Sequence, residues 1–210
     1  MPIVYLILGG NQGNRNEIIS EAIDLVTSQI GIQMDSSSRY ESESWGFKSE
    51  PFINQIIVLN TDLNPEEILE KIHSIEDQLG RTRKTKQYEA RTIDIDLLYM
   101  DSLVINSANL VVPHPRIASR RFVLLPLAEI APELLDPVTG KTVAEMLEQC
   151  SDISYVRRLV QPIPDTKNGN AEQSPWNRSS HQKPGPLHLP NQGRCRISGS
   201  SPDQSPPPKG

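Results

Sequence analysis

The sequence predicts an α+β domain with helices packed on a mainly antiparallel sheet. Two observations carry this: strand-length apolar runs alternate with segments of helical period in the order β-α-β-β-α-β, and one helix start is spelled out in its capping residues. Ile3 to Leu8 is an apolar run ending on Gly9-Gly10, the length of a central strand. Ile18, Ile19, Ala22, Ile23, Val26 and Ile30 recur at helical spacing, and Gly31 stands where a C-terminal glycine stop is expected. Ile32 to Trp45, serine-rich and partly alternating, reads as one extended strand, and Gly46 to Pro51 as a loop. Phe52 to Asn60 is a β-rich run. Asn64-Pro65-Glu66-Glu67 then supplies an N-cap, a proline at the first helical position and a glutamate three residues past the cap. Ile68, Leu69, Ile72, Ile75 and Leu79 form the apolar stripe of that helix, and Gly80 ends it. Thr92 to Met100 is a strand that turns at Asp101-Ser102 into Leu103-Val104-Ile105. The order is that of the split βαβ, ferredoxin-like sandwich, with Phe122 to Ile130 and Thr142 to Leu147 as short helices covering the rest of the sheet.

The net charge of -5 is unevenly spread. Residues 162–210 hold 10 of the 18 prolines, a charge of +3, and, of Ile, Leu, Val, Met and Phe, only Ile163, Leu187, Leu189 and Ile197. So little apolar surface does not offset the entropy of ordering the segment, so a disordered tail is expected there and a catalytic domain over 1–161. That domain carries -8, which argues against a nucleic-acid-binding core. No run approaches the roughly 18 apolar residues of a membrane span, so no membrane partner is expected. Met1-Pro2-Ile3-Val4 has no positive region before its apolar run and does not read as a signal peptide. Two cysteines, Cys150 and Cys195, offer no metal-ligand spacing and fit a reducing compartment, so a cytoplasmic, monomeric protein is the expectation.

Asp94 and Asp96 are the sharpest chemical feature. On a strand they share a face, while Ile93, Ile95 and Leu97 pack the other. Two like charges roughly 7 Å apart need a cation beside them, and magnesium suits a pair of carboxylates completed by phosphate oxygens. The bland reading of Asp-x-Asp is the polar face of an amphipathic strand. Its neighbours weigh against that: Arg81, Arg83, Lys84, Lys86 and Arg91 are five bases in eleven residues, opposed by Glu89 alone. Arg116, Arg120 and Arg121 form a second basic cluster after Val112-Pro113-His114-Pro115. Together they supply the positive charge a triphosphate requires. Gly9-Gly10-Asn11-Gln12-Gly13-Asn14 fits neither G-x-G-x-x-G nor a Walker A loop and reads as a tight turn into the first helix. Tyr40, Trp45, Phe52, Tyr88 and Phe122 are candidate stacking platforms for a flat heterocycle.

Leu8-Gly9-Gly10-Asn11-Gln12-Gly13-Asn14, Pro51-Phe52-Ile53-Asn54, Leu79-Gly80-Arg81-x-Arg83, Arg91-Thr92-Ile93-Asp94-Ile95-Asp96-Leu97 and Val112-Pro113-His114 together resemble the hydroxymethyldihydropterin pyrophosphokinases of folate synthesis, over about residues 2–150. The resemblance implies pyrophosphoryl transfer from ATP, as co-substrate, to the hydroxymethyl of 6-hydroxymethyl-7,8-dihydropterin, with release of AMP and with two Mg2+ ions. It implies metal-holding roles for Asp94 and Asp96, and catalytic and ATP-binding roles for Arg81, Arg83 and Arg91, with His114 and Arg120 also on ATP. It implies a pterin site of Ser42, Trp45, Phe52, Asn54 and Phe122. The family often has tryptophan where this chain has Tyr88, and serine where it has Gly10. The basic loop is expected to close over ATP and exclude water.

Other readings stay open at this point. A palm-type two-metal nucleotidyltransferase would also use Asp-x-Asp, though it has no need of Pro51-Phe52-x-Asn54 or Val112-Pro113-His114. A non-catalytic nucleotide-binding regulator, or an interaction protein using the proline-rich tail, is the alternative from a different class.

Overall fold

The computed structural model describes residues 1–44, 49–81 and 90–160. The expectations for Trp45, for the basic loop with Arg83 and Tyr88, and for the tail lie outside the described residues. In chain order, β1 (Ile3–Gly10), α1 (Arg15–Gln29), β2 (Ile32–Ser36), β3 (Tyr40–Ser42), β4 (Phe52–Asn60), α2 (Pro65–Gln78) and β5 (Asp94–Met100) build the βαββαβ unit. A ribbon of β6 (Ile105–Asn106) and β7 (Val111–Val112), helices α3 (Arg121–Ile130) and α4 (Val143–Gln149), and β8 (Val156–Arg158) follow. The sheet runs β5-β1-β4-β3-β8, with β2 alongside the other end of β4, and all its pairings are antiparallel. Placing the first strand between the third and fourth is the ferredoxin-like arrangement.

Local chemistry explains the helix starts. Asn64 Oδ1 accepts the Glu67 N–H at 2.9 Å and Glu67 Oε2 accepts the Asn64 N–H at 2.8 Å, the reciprocal pair that the sequence spells. Thr142 and Glu145 repeat it at α4. Gly80, at φ +80, is the left-handed stop of α2.

Three expectations are corrected. Gly31 is not a left-handed stop, since among the described glycines positive φ is confined to Gly13, Gly80 and Gly140. A Cβ on it would lie 2.4 Å from the Asn60 carbonyl oxygen and 3.0 Å from Thr61 Cβ, so glycine is there because the chain leaving α1 passes against the end of β4. The single strand expected from Ile32 breaks after Ser36. Buried Ser37 accepts the Ile56 N–H on its Oγ at 2.9 Å and donates its own N–H to the Ile56 carbonyl at 2.9 Å, so a side chain takes over a ladder bond and splits the strand into β2 and β3. The segment after Asp101 does not extend the sheet either: β6 pairs with β7 in a separate ribbon.

Both faces of the sheet are covered. Ile19, Ala22 and Val26 of α1 and Ile68, Ile72 and Ile75 of α2 pack on Leu6, Leu8, Ile57 and Ile95. Val123, Leu124 and Leu127 of α3, with Val143 and Met146 of α4, pack on Ile7, Ile56, Leu98 and Tyr99. Two buried faces are why β1 and β4 read as continuous apolar runs rather than alternating ones. Truncating a fully buried residue such as Leu6 or Ile57 is expected to cost about 2–5 kcal/mol, so the strands form a stiff floor. A register shift opposite Tyr5 and Leu6 changes the phase of β5, leaving Asp94 and Asp96 on the α3 side together with Tyr99.

Candidate active site

Register assembles the site. Asp94 pairs with Gly9, and Gly9 with Asn54, so β5, β1 and β4 present a carboxylate, a bare backbone and an amide side by side on the α3 face. Gly9 makes the row possible, because a Cβ there would lie 2.5 Å from Asn54 Oδ1. Two residues along β5, Asp96 stands opposite Ile7, and at the end of β4, Phe52 stands opposite Ser42. Above this floor is a cleft of about 620 Å³, counted to its open mouth. Ser42, Phe52, Asn54 and Phe122 line it together with Arg91, Asp94, Asp96 and Arg120. Aromatic and amide side chains beside charged ones suit a ligand with a flat and a charged part.

On the apolar side, Asn54 and Ser42 are both buried, and Asn54 Nδ2 donates to Ser42 Oγ at 3.0 Å. Phe122 sits beneath the Arg120 guanidinium, 5.5 Å from ring centroid to charge. On the charged side, Asp94 takes Arg81 Nη2 on Oδ1 at 2.7 Å and Arg91 Nη1 on Oδ2 at 2.5 Å. Arg81 Nη1 also donates to Oε1 of the fully buried Glu76, which accepts the Ile95 N–H at 2.9 Å. Glu76 thereby ties α2, the Arg81 guanidinium and the β5 backbone together. Burial, and after it the charges of Asp94 and Glu76, push the Asp96 carboxyl up to about 7 against the pull of Arg120 and Arg81. Burial in turn lowers the Arg120 pKa, with Asp96 and Asp94 opposing it.

Asn11, buried at the end of β1, fixes the rim. Its Oδ1 accepts the Arg91 N–H at 2.8 Å, and its Nδ2 donates to Ser49 Oγ at 2.8 Å and the Glu50 carbonyl at 3.1 Å. His114 does not line this cleft. It lines a second groove with Val112, Pro113 and Ile117, and its Nδ1 accepts the Arg116 N–H at 3.2 Å. Burial and then the Arg120 charge lower its pKa, while Asp94 acts the other way, so it lies within electrostatic reach of the Asp pair.

Of the residues singled out from sequence, Ser42, Phe52, Asn54, Arg91, Asp94, Asp96, Arg120 and Phe122 meet in one cleft, and Arg81 joins through Asp94. Trp45 and Arg83 lie outside the described residues. Sequence reading missed Asn11 and Glu76. Glu76 had a signal: it falls four residues after Ile72, a charge on the apolar stripe of a helix. Among the described residues no group of three His, Cys, Asp or Glu side chains forms a closed metal cage. Two carboxylates on one strand face, one with its charge disfavoured by burial and a like neighbour, fit magnesium completed by ligand oxygens.

The model of the family described as 7,8-dihydro-6-hydroxymethylpterin-pyrophosphokinase (HPPK) matches residues 5–132. The chain belongs to the HPPK family. The 2-amino-4-hydroxy-6-hydroxymethyldihydropteridine pyrophosphokinase of Porphyromonas gingivalis is 41% identical over 138 residues, 64% of this chain and 94% of that protein. The Synechocystis protein of the same name is 38% identical over 143 residues, 68% of this chain and 73% of its own length. The Plasmodium falciparum HPPK-DHPS structure superposes with a TM-score of 0.59 at 18% identity, over 71% of this chain and 43% of that one, a likeness of fold alone. HPPK membership and the α+β sandwich expected from the sequence agree. No helix among the described residues is long and apolar enough to cross a membrane.

Proposed function

We propose that this chain transfers the pyrophosphoryl group of ATP to the hydroxymethyl oxygen of 6-hydroxymethyl-7,8-dihydropterin, releasing AMP. The observation that carries the reading is one cleft lined both by Phe52, Phe122, Asn54 and Ser42 and by Asp94, Asp96, Arg91 and Arg120. A bond forms between the hydroxymethyl oxygen and the β-phosphorus, the bridge to the α-phosphorus breaks, and no protein nucleophile is needed. Phe52 and Phe122 stack the flat ring, and Asn54, held by Ser42, bonds its edge. Asp94 and Asp96 would hold two magnesium ions, which supply charge neutralisation on the triphosphate. Arg81 and Arg91, both paired with Asp94, would supply positive charge to the phosphate oxygens, with Arg120, His114 and Arg83 adding to the same field. Residues 1–161 are the catalytic domain, acting as a cytoplasmic monomer on small molecules, with neither nucleic acid nor membrane as partner.

AMP formation from ATP and magnesium, with and without the dihydropterin, tests the activity. Phe52→Ala is expected to weaken dihydropterin binding by about tenfold or more, through loss of a stacked aromatic face. Asn54→Ala should weaken selection against analogues lacking ring donors and acceptors. Unchanged calorimetric binding in both variants refutes the pocket assignment.

A further inference from the structure

The two walls of the cleft come from elements that do not contact each other through the sheet ladder: Ser42 from β3 and Phe122 with Arg120 from the start of α3. One short segment touches both. Asp152 Oδ2 accepts the Arg121 N–H at 2.9 Å, and its Oδ1 accepts the Ser154 N–H at 2.9 Å. Arg120 occupies the N-cap position of α3 and its side chain makes no capping bond. The cap of this helix therefore arrives from thirty-one residues downstream. Partial burial works to raise the Asp152 carboxyl, but the N–H groups of Arg121 and Ser154 outweigh it and hold its pKa below the ordinary value.

From Asp152 the chain runs directly to the other wall. The Glu43 N–H donates to the Tyr155 carbonyl, and β8 pairs with β3 so that Val156 stands opposite Ser42 and Arg157 opposite Glu41. Arg157 Nη2 reaches Glu41 Oε1 at 2.8 Å. Arg158 Nη2 reaches Glu129 Oε1 at 2.8 Å, which fastens the far end of α3 to the same strand. Residues 152–158 lie beyond the 5–132 that the family model matches.

We infer that residues 152–158 form a clasp that sets the spacing between the two walls of the cleft, with Asp152 as a positioning residue for Phe122. The inference rests on the pterin reading of that cleft. Asp152 touches no substrate. Its carboxylate fixes the first turn of α3, and β8 fixes Ser42 relative to it, so the gap that a flat ring must enter is held by a strap of seven residues.

The split between substrates tests this. Loss of an N-cap acting through Phe122 should raise the KM for the dihydropterin about fivefold in Asp152→Ala, with ATP affinity within about twofold of the wild type. Asp152→Asn, which keeps an acceptor oxygen but not the charge, should recover most of the loss. Measurements are made on the full chain well below its Tm. Equal losses for both substrates mean a general stability effect, and an unchanged dihydropterin KM means no coupling; either overturns the clasp. Should Asp152→Ala not fold, an Asp152→Asn enzyme with about a twofold rise in dihydropterin KM and unaltered ATP affinity supports it, and one with no rise overturns it. Phe52→Ala, run in parallel, separates the two failures: if it too leaves dihydropterin binding intact, the pterin reading has failed rather than the clasp.

Discussion

Replacing Asp96 by asparagine should change how the stability of the metal-free protein responds to pH, in a direction opposite to ordinary acid denaturation. Burial and Asp94 raise the folded carboxyl to about 7 from the ordinary 3.8. The folded state thus binds more protons than the unfolded one between those values, and stability falls as pH rises through that window. The contribution is complete below about pH 4 and gone above about pH 7. Moving from pH 8 to pH 6 lets the folded protein take up most of a proton at Asp96, worth on the order of 1 kcal/mol. In a domain of this size that is a rise of about 2–4 °C in Tm. His114 pulls the other way, since a buried imidazole with a lowered pKa loses stability as pH falls. It is present in both proteins, so the difference between wild type and Asp96→Asn isolates the carboxyl. Thermal unfolding by circular dichroism in EDTA at pH 6, 7 and 8 reads it out. Parallel Tm profiles for the two proteins would refute the account of Asp96. Magnesium with a non-hydrolysable ATP analogue should flatten the wild-type profile, because a cation keeps the carboxylate ionised.

Glu76→Gln preserves shape and an acceptor for the Ile95 N–H but removes the charge facing Arg81, so a loss of about 1–3 kcal/mol in denaturant unfolding is expected. The same change should lower the Asp96 pKa, because the Glu76 charge helps to raise it; a carboxyl titration by NMR that does not move counts against the network. Gly31→Ala, far from the cleft, forces a Cβ to 2.4 Å from the Asn60 carbonyl oxygen and should cost about 1–3 kcal/mol with AMP formation per folded molecule unchanged. A neutral Tm would show that the α1 exit has room to shift.

What was legible in the sequence was local. The Asn64 and Glu67 cap closes within three residues, and the helix stripes and the Asp94–Asp96 pair depend only on period. The break between β2 and β3 was hidden because it is made by Ser37 bonding Ile56, nineteen residues away. Gly31 was misread because a glycine after a helix serves two purposes, a left-handed turn or a close approach, and only the neighbouring strand tells them apart. β8 carries no pattern at three residues, two of them exposed arginines. His114, which the resemblance assigns to ATP, lines a neighbouring groove and stays within reach of the Asp pair by charge, a placement no local pattern gives.

Nothing in the sequence places Phe52 and Asn54 relative to Asp94 and Asp96, yet the sheet fixes their separation. Phe52 and Asn54 share a face of β4 by period, and Asp94 and Asp96 share a face of β5. That the two faces are the same one follows from both strands pairing with β1, Gly9 meeting Asn54 on one side and Asp94 on the other. Two strand spacings, roughly 10 Å, then separate Asn54 from Asp94. That distance is written into the β1 ladder and not into any loop, so loop substitutions can alter affinity without altering the alignment of hydroxyl and phosphorus. A one-residue register slip of β4 against β1 would do the reverse: it would turn Phe52 and Asn54 toward α1 and α2 and leave the aspartates facing an empty wall. Such a slip would also pull Ile53, Ile57 and Leu59 out of their packing against α1 and α2, and the core therefore enforces the geometry of the site.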